Sequence, residues 1–222
     1  MVGRRVLPGC DPDPASAAAG ARPEACAGAW KAADLRGGEL RGRTVGIVGA
    51  ASTARAFIAL LAPFGTDIVV YDPYLTRQRA AELGVRTGDL QTVLSAPIVS
   101  VHVPNLPQTE GMIGAADLAR IPDGGILINS SRAAAIDTSA LYAELGSGRI
   151  LAALDVYDLE PPTLPADLIR APNVLLTPHV AGDTVEGHQA LLGYVLTDII
   201  EFLDHGRRGP SFVDPAGWSI TA

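Results

Sequence analysis

Long hydrophobic runs are missing from this 222-residue chain. No apolar stretch approaches the ~18 residues a membrane-crossing helix needs. Basic residues are few: Lys and Arg total 17 against 24 Asp and Glu, a formal net charge of −7, with no basic run. That balance argues against nucleic acid as the main partner. Cysteine is nearly absent. Cys10 and Cys26 form neither a metal-ligand pattern nor a disulfide framework, so the expected setting is reducing and cytoplasmic. No internal repeat is apparent. What is present is 48% apolar and 18% charged, a composition that buries a sizeable core in one domain or at most two small ones.

Residues 1–29 are unlike the rest. They hold eight Ala, four Gly and four Pro, and beyond Met1 their only large aliphatics are Val2, Val6 and Leu7. Such a segment cannot bury enough surface to offset its ordering entropy, and it reads as a disordered leader. Arg4-Arg5 before Val6-Leu7 hints at a secretion signal, and Leu7-Pro8-Gly9-Cys10 at a lipid anchor. Both need an apolar stretch that Pro8-Gly9-Cys10-Asp11-Pro12 interrupts.

The body alternates strands and helices. Apolar runs at 44–48, 67–71, 98–103, 125–129, 151–156 and 173–177 read as buried strands. Helical spacing occupies 52–63, 76–83 and 115–120, a run from Asp137 to about Leu145 ahead of Gly146 and Gly148, and roughly 184–204. Continuous apolar strands separated by helices predict an α/β fold, a doubly wound parallel sheet of Rossmann type covered on both faces. Ligands in such sheets bind beyond the carboxyl ends of the strands.

Those ends carry chemistry. Gly49-Ala50-Ala51-Ser52-Thr53-Ala54 stands where a G-x-G-x-x-G/A dinucleotide loop would be. Gly49 keeps the tight turn, but Ala51 puts a methyl where the backbone should approach a pyrophosphate. Ser52 and Thr53 offer hydroxyls. Asp72 ends the second strand, where a free carboxylate would bind a ribose diol and favour NAD over NADP; the alternative is a turn-forming Asp before Pro73. Arg132, after the 125–129 strand, is suited to clamp a carboxylate. Glu160 and His179 follow the next two strands, and a histidine paired with a carboxylate passes protons near neutral pH. Singly, these are a surface Arg, a loop carboxylate and a structural His. Three such groups at one edge of one sheet point to a site. His102 is expected to line the cleft; His188 and His205 read as solvated helix or tail residues.

Taken in order, Gly38–Gly49, Tyr71-Asp72-Pro73-Tyr74, Val99–Pro104 with Thr109, Asn129-Ser130-Ser131-Arg132, Ala153-Leu154-Asp155-Val156 and Thr177-Pro178-His179-Val180-Ala181-Gly182 resemble the D-isomer-specific 2-hydroxyacid dehydrogenase family, from about Trp30 to about Pro210. The resemblance implies an NAD-dependent enzyme that reduces a small 2-oxo acid to the D-2-hydroxy acid, or the reverse, as a homodimer. It implies that Arg132 binds the substrate carboxylate, His179 is the acid/base and Glu160 orients it. Gly49, Ala51, Ser52, Thr53, Asp72, His102, Pro104, Thr109, Ser130, Asp155 and Gly182 would form the cofactor site, Asp155 holding the nicotinamide carboxamide. No metal is implied.

The chain departs from the family pattern in three places. Ala51 and Ala54 replace glycines. The run Gly148–Asp155 is one residue short. The family's substrate domain, about 100 residues, would stand where residues 1–29 are. The expected organisation is a leader (1–29), an NAD-binding domain (30–182) and a C-terminal helix and tail (183–222). Impaired activity is one expectation. The rivals are a non-catalytic remnant or partner subunit, or a misplaced start site with the substrate domain encoded upstream.

Overall fold

The computed structural model describes residues 37–209 and Phe212. The leader expected over 1–29, and Trp30, lie outside the described residues. Seven strands form one sheet: β1 (Thr44–Val48), β2 (Asp67–Tyr71), β3 (Arg86–Thr87), β4 (Ile98–Val101), β5 (Ile126–Asn129), β6 (Leu151–Leu154) and β7 (Val174–Leu176). Their order is β3-β2-β1-β4-β5-β6-β7 and every pairing is parallel. The direction of winding reverses between β1 and β4, which opens a crevice at their carboxyl ends.

The connecting helices are α1 (Ser52–Leu61), α2 (Arg77–Leu83), α3 (Leu90–Leu94), α4 (Ala115–Leu118), α5 (Thr138–Ser147), α6 (Ala166–Ile169) and α7 (Val185–His205). Their starts are written in side chains. Thr76, Asp89, Asp137 and Thr184 accept N–H bonds from Arg79, Thr92, Ala140 and Gly187, satisfying amides that a helix start leaves open. Gly84, Gly148 and Gly206 close α2, α5 and α7 in the left-handed conformation. Gly146 falls inside α5 rather than after it.

The core lies between the sheet and its helices. Ile47, Leu127, Leu145 and Ile150 are fully buried, each stabilising the fold by roughly 1.5–3 kcal/mol. β1 lies almost in backbone contact with α3, since a Cβ on Gly46 would stand 2.2 Å from the Val93 carbonyl oxygen. Gly46→Ala would force those elements apart.

The sheet differs from expectation on one face. Ile126, Leu151 and Leu175 are exposed, and the register Ile126↔Leu151 and Ala153↔Leu175 puts them on a common side of β5–β7. Right-handed crossovers running from β4 outward place α4, α5 and α6 on the opposite face. Among the described residues nothing covers this one. α7 likewise has no buried residue. Leu191, Leu192, Leu196, Ile200 and Leu203 are all exposed along it. No helix of the described residues is long and apolar enough to cross a membrane.

Candidate active site

The carboxyl ends of β5, β6 and β7 bring Arg132, Glu160 and His179 into one cleft of about 340 Å³. His179 Nδ1 lies 2.7 Å from Glu160 Oε2. The bond from His179, reinforced by the Tyr157 N–H on Oε1 (3.1 Å), holds the Glu160 carboxyl below the usual glutamate range. Glu160 is therefore an ionised acceptor at neutral pH. A bond between two acceptors is not possible, so Nδ1 carries a proton and Nε2 is the nitrogen left to exchange one.

The loop bearing His179 is tightly specified. His179 has φ +56°, the only described non-glycine residue with positive φ. That backbone is unfavourable for a side-chain-bearing residue and persists only where its surroundings enforce it. Asp155, 4% exposed, does the enforcing. Its Oδ1 accepts from Thr177 Oγ1 (2.6 Å) and the Val180 N–H (2.9 Å), and its Oδ2 from the Ala181 N–H (2.9 Å). Two successive N–H groups thus cradle a carboxylate just after the strained residue. Burial alone would raise the Asp155 pKa. The bonds from Thr177, Ala181 and Val180 outweigh it and hold the carboxyl below the usual range.

Arg132 is placed by a second buried anchor. Asn129 ends β5 at 2% exposure. Its Oδ1 accepts from the Ser131 N–H (3.1 Å), and its Nδ2 donates to the Arg132 carbonyl (2.9 Å). The exposed guanidinium spends one N–H on the Ser131 carbonyl (2.6 Å); its other donors remain for a ligand. Ser130 is exposed beside it, and Gly182 is exposed beyond His179.

The dinucleotide end is built differently. Gly49 has φ +94°, and a Cβ there would stand 2.8 Å from the His102 carbonyl oxygen, so glycine is required. Ala51, the extended residue just before α1, has φ −65°, an ordinary value that lets alanine make the turn. No side chain caps α1, and the Ser52 and Thr53 side chains are exposed. Asp72 forms the turn before Pro73 that stood as the alternative, and both its oxygens accept an N–H. Oδ2 accepts from the Ala50 N–H and Oδ1 from the Tyr74 N–H, each at 2.7 Å. Each oxygen keeps a lone pair for a ribose hydroxyl. Thr109 closes its own loop, donating to the Pro104 carbonyl (2.6 Å) and accepting from the Leu106 N–H (3.0 Å).

His102 is half-buried beyond β4 and is not among the residues lining the cleft of Arg132, Glu160 and His179. Its Nε2 meets Ser100 Oγ at 2.9 Å, its ring packs on Phe57, and burial lowers its pKa. His188 pairs with Asp183 at the surface, and His205 is exposed. Asn105, Tyr157 and Asp158 also line the cleft without having drawn notice in the sequence. The alternation of an extended chain was the available signal for Tyr157, two residues beyond Asp155.

The model of the family "D-isomer specific 2-hydroxyacid dehydrogenase, NAD binding domain" matches residues 17–181. The chain belongs to this family. The match begins before Trp30, inside the segment that composition set apart, and stops short of Pro210. A D-3-phosphoglycerate dehydrogenase of Archaeoglobus fulgidus is 34% identical over 175 residues, covering 78% of this chain and 33% of the relative. A hydroxypyruvate reductase of Thermotoga maritima is 35% identical over 166 residues, covering 73% and 53%. The D-lactate dehydrogenase of Lactobacillus jensenii, solved with NAD+, superposes with a TM-score of 0.71 at 30% identity, over 83% of this chain and 59% of that one. The chain thus spans about a third to a half of the curated relatives it matches.

NAD is the family's cofactor, and the residues present fit it. The open amides of α1 suit a pyrophosphate, Gly49 permits the close turn, and Asp72, at the end of β2, keeps the acceptor capacity a ribose diol would need. The poorest fit is Ala51, whose methyl replaces a hydrogen at the closest approach. Asp155, expected at the nicotinamide, spends three of its four lone pairs on the His179 loop.

Proposed function

We propose that this chain carries the cofactor and acid/base half of an NAD-dependent D-2-hydroxyacid dehydrogenase acting on a small 2-oxo or 2-hydroxy acid. The single observation that carries this reading is the 2.7 Å His179–Glu160 pair sharing one cleft with Arg132. When bound, NAD supplies the hydride chemistry. The residues do the rest. Arg132 binds the carboxylate with paired N–H donors and so sets the substrate's orientation. His179, protonated on both nitrogens, gives the Nε2 proton to the carbonyl oxygen during reduction and recovers it during oxidation. Glu160 stays ionised, holds the ring and stabilises its charged form. Gly49, Ala51, Ser52, Thr53 and Asp72 hold the dinucleotide, with Ser130 and Gly182 at its nicotinamide end.

The test is NADH oxidation, followed by absorbance, across a panel of 2-oxo acids. Arg132→Ala should raise KM for the acid at least tenfold. Absence of turnover with every acid, despite NADH binding, would overturn the reading in favour of the non-catalytic partner subunit, which Ala51 favours.

The same reading carries a homodimer. The exposed apolar residues of α7 and of β5–β7 support association, because contiguous apolar surface of this kind marks interaction sites. Light scattering on the purified chain should give twice the 23.0 kDa chain mass; a monomer at all concentrations would remove the dimer.

A further inference from the structure

The proton transfer proposed above gives Tyr157 no task, yet Tyr157 touches both halves of the pair. Its N–H donates to Glu160 Oε1 at 3.1 Å. Its hydroxyl lies 2.8 Å from the Thr177 carbonyl oxygen and 3.2 Å from that of Leu154. A phenol has one proton to give, and the Thr177 carbonyl, two residues before His179, is the nearer acceptor. We infer that Tyr157 is a positioning residue that holds the His179–Glu160 pair from both sides, through its N–H on Glu160 and its hydroxyl on the Thr177 carbonyl. This rests on the reading of His179 and Glu160 as the acid/base pair.

The location explains why such a clamp is needed. The bond from the Thr177 N–H to the Leu154 carbonyl (3.0 Å) lies just past the last paired residues of β6 and β7, Leu154 and Leu176. Beyond it the chain carries His179 through a left-handed backbone with no further strand pairing. Asp155 secures the residues after His179. The Tyr157 hydroxyl secures the residue before Pro178, and so the two anchors bracket His179. The ring is half-buried and lines both the main cleft and a small cavity with Thr138, Leu141 and Tyr142. Burial raises the phenol pKa, so the hydroxyl remains a donor throughout the neutral range. The ionisable groups that share the cleft with His179 are Glu160, Asp158, Arg132 and Tyr157, and Asp155 lies under the loop.

Tyr157→Phe isolates the hydroxyl. It keeps the ring's packing and the N–H to Glu160, and removes only the bond to Thr177. The His179 Nδ1–H proton is followed by NMR at one fixed pH in the full chain, with Glu160→Gln as the reference for a broken pair. Glu160→Gln replaces the charged acceptor by a neutral amide, so it moves this resonance upfield. Tyr157→Phe is expected to move it in the same direction, roughly half as far. With a working substrate it should lower kcat about tenfold, with KM for the acid and NADH affinity within about twofold. A folded variant whose His179 Nδ1–H resonance equals that of the wild type would overturn the proposal. A wild type that turns over no acid would instead overturn the dehydrogenase reading, while the resonance still decides the role of Tyr157.

Discussion

The two ends of the crevice are held together in opposite ways. At β5–β7 the reactive side chains are partly exposed but their anchors are buried. Asn129 fixes the Arg132 loop, and Asp155 fixes the His179 loop against an unfavourable backbone. At β1–β2 little is fixed by side chains: α1 starts without a cap, the Ser52 and Thr53 side chains are exposed, and the loop is tied to the end of β2 by the Gly49 N–H on the Tyr71 carbonyl and the Ala50 N–H on Asp72. The difference follows from what each end must do. An acid/base pair must be positioned before the substrate arrives. A phosphate cradle is an array of open amides whose partner is the ligand itself. An alanine at Ala51 therefore leaves the fold undisturbed and bears only on binding, whereas a change at Asp155 bears on both.

The comparison breaks most sharply at His179. His179→Ala should lower kcat by about 10²- to 10⁴-fold and leave NADH affinity within about twofold, as read by turnover and calorimetry. Unchanged turnover would remove His179 from the chemistry. Next is Asp155→Ala, which strands a hydroxyl and two N–H groups. It should cost about 3 kcal/mol in chemical denaturation and lower turnover as well. The folded Asp155 pKa lies below its ordinary 3.8. Its contribution is therefore complete at neutral pH and is lost as pH falls below that value. Below about pH 4 the wild type should lose stability faster than the variant; equal losses would contradict the anchor role. The smallest effect is at the other end. Asp72→Asn should cut the preference for NADH over NADPH about fivefold, with no change in kcat for NADH, checked by parallel binding titrations.

Much of this was legible in the sequence, for reasons that vary by element. β1 and β2 were readable to the residue because their apolar runs end at Gly49 and Asp72. α2, α5 and α7 announced themselves through Thr76, Asp137 and Thr184 or through the glycines after them. β3, α3 and α6, at two, five and four residues, are too short to show a period. The exposed side of β5–β7 was hidden for another reason. A continuous apolar strand says that both faces suit burial, not that a helix of the same chain covers each. Arg132, Glu160 and His179 could be grouped because strand ends of a parallel sheet converge. The work of Asp155 and Tyr157 could not, since it depends on which backbone groups a loop leaves open once His179 adopts its left-handed turn.

The most direct test of the central claim, a working dinucleotide site beside a preformed acid/base pair, is calorimetric titration of NADH into the purified chain and its Ala51→Gly variant. The account predicts binding by both, about tenfold tighter with glycine. Absence of binding in both would contradict it.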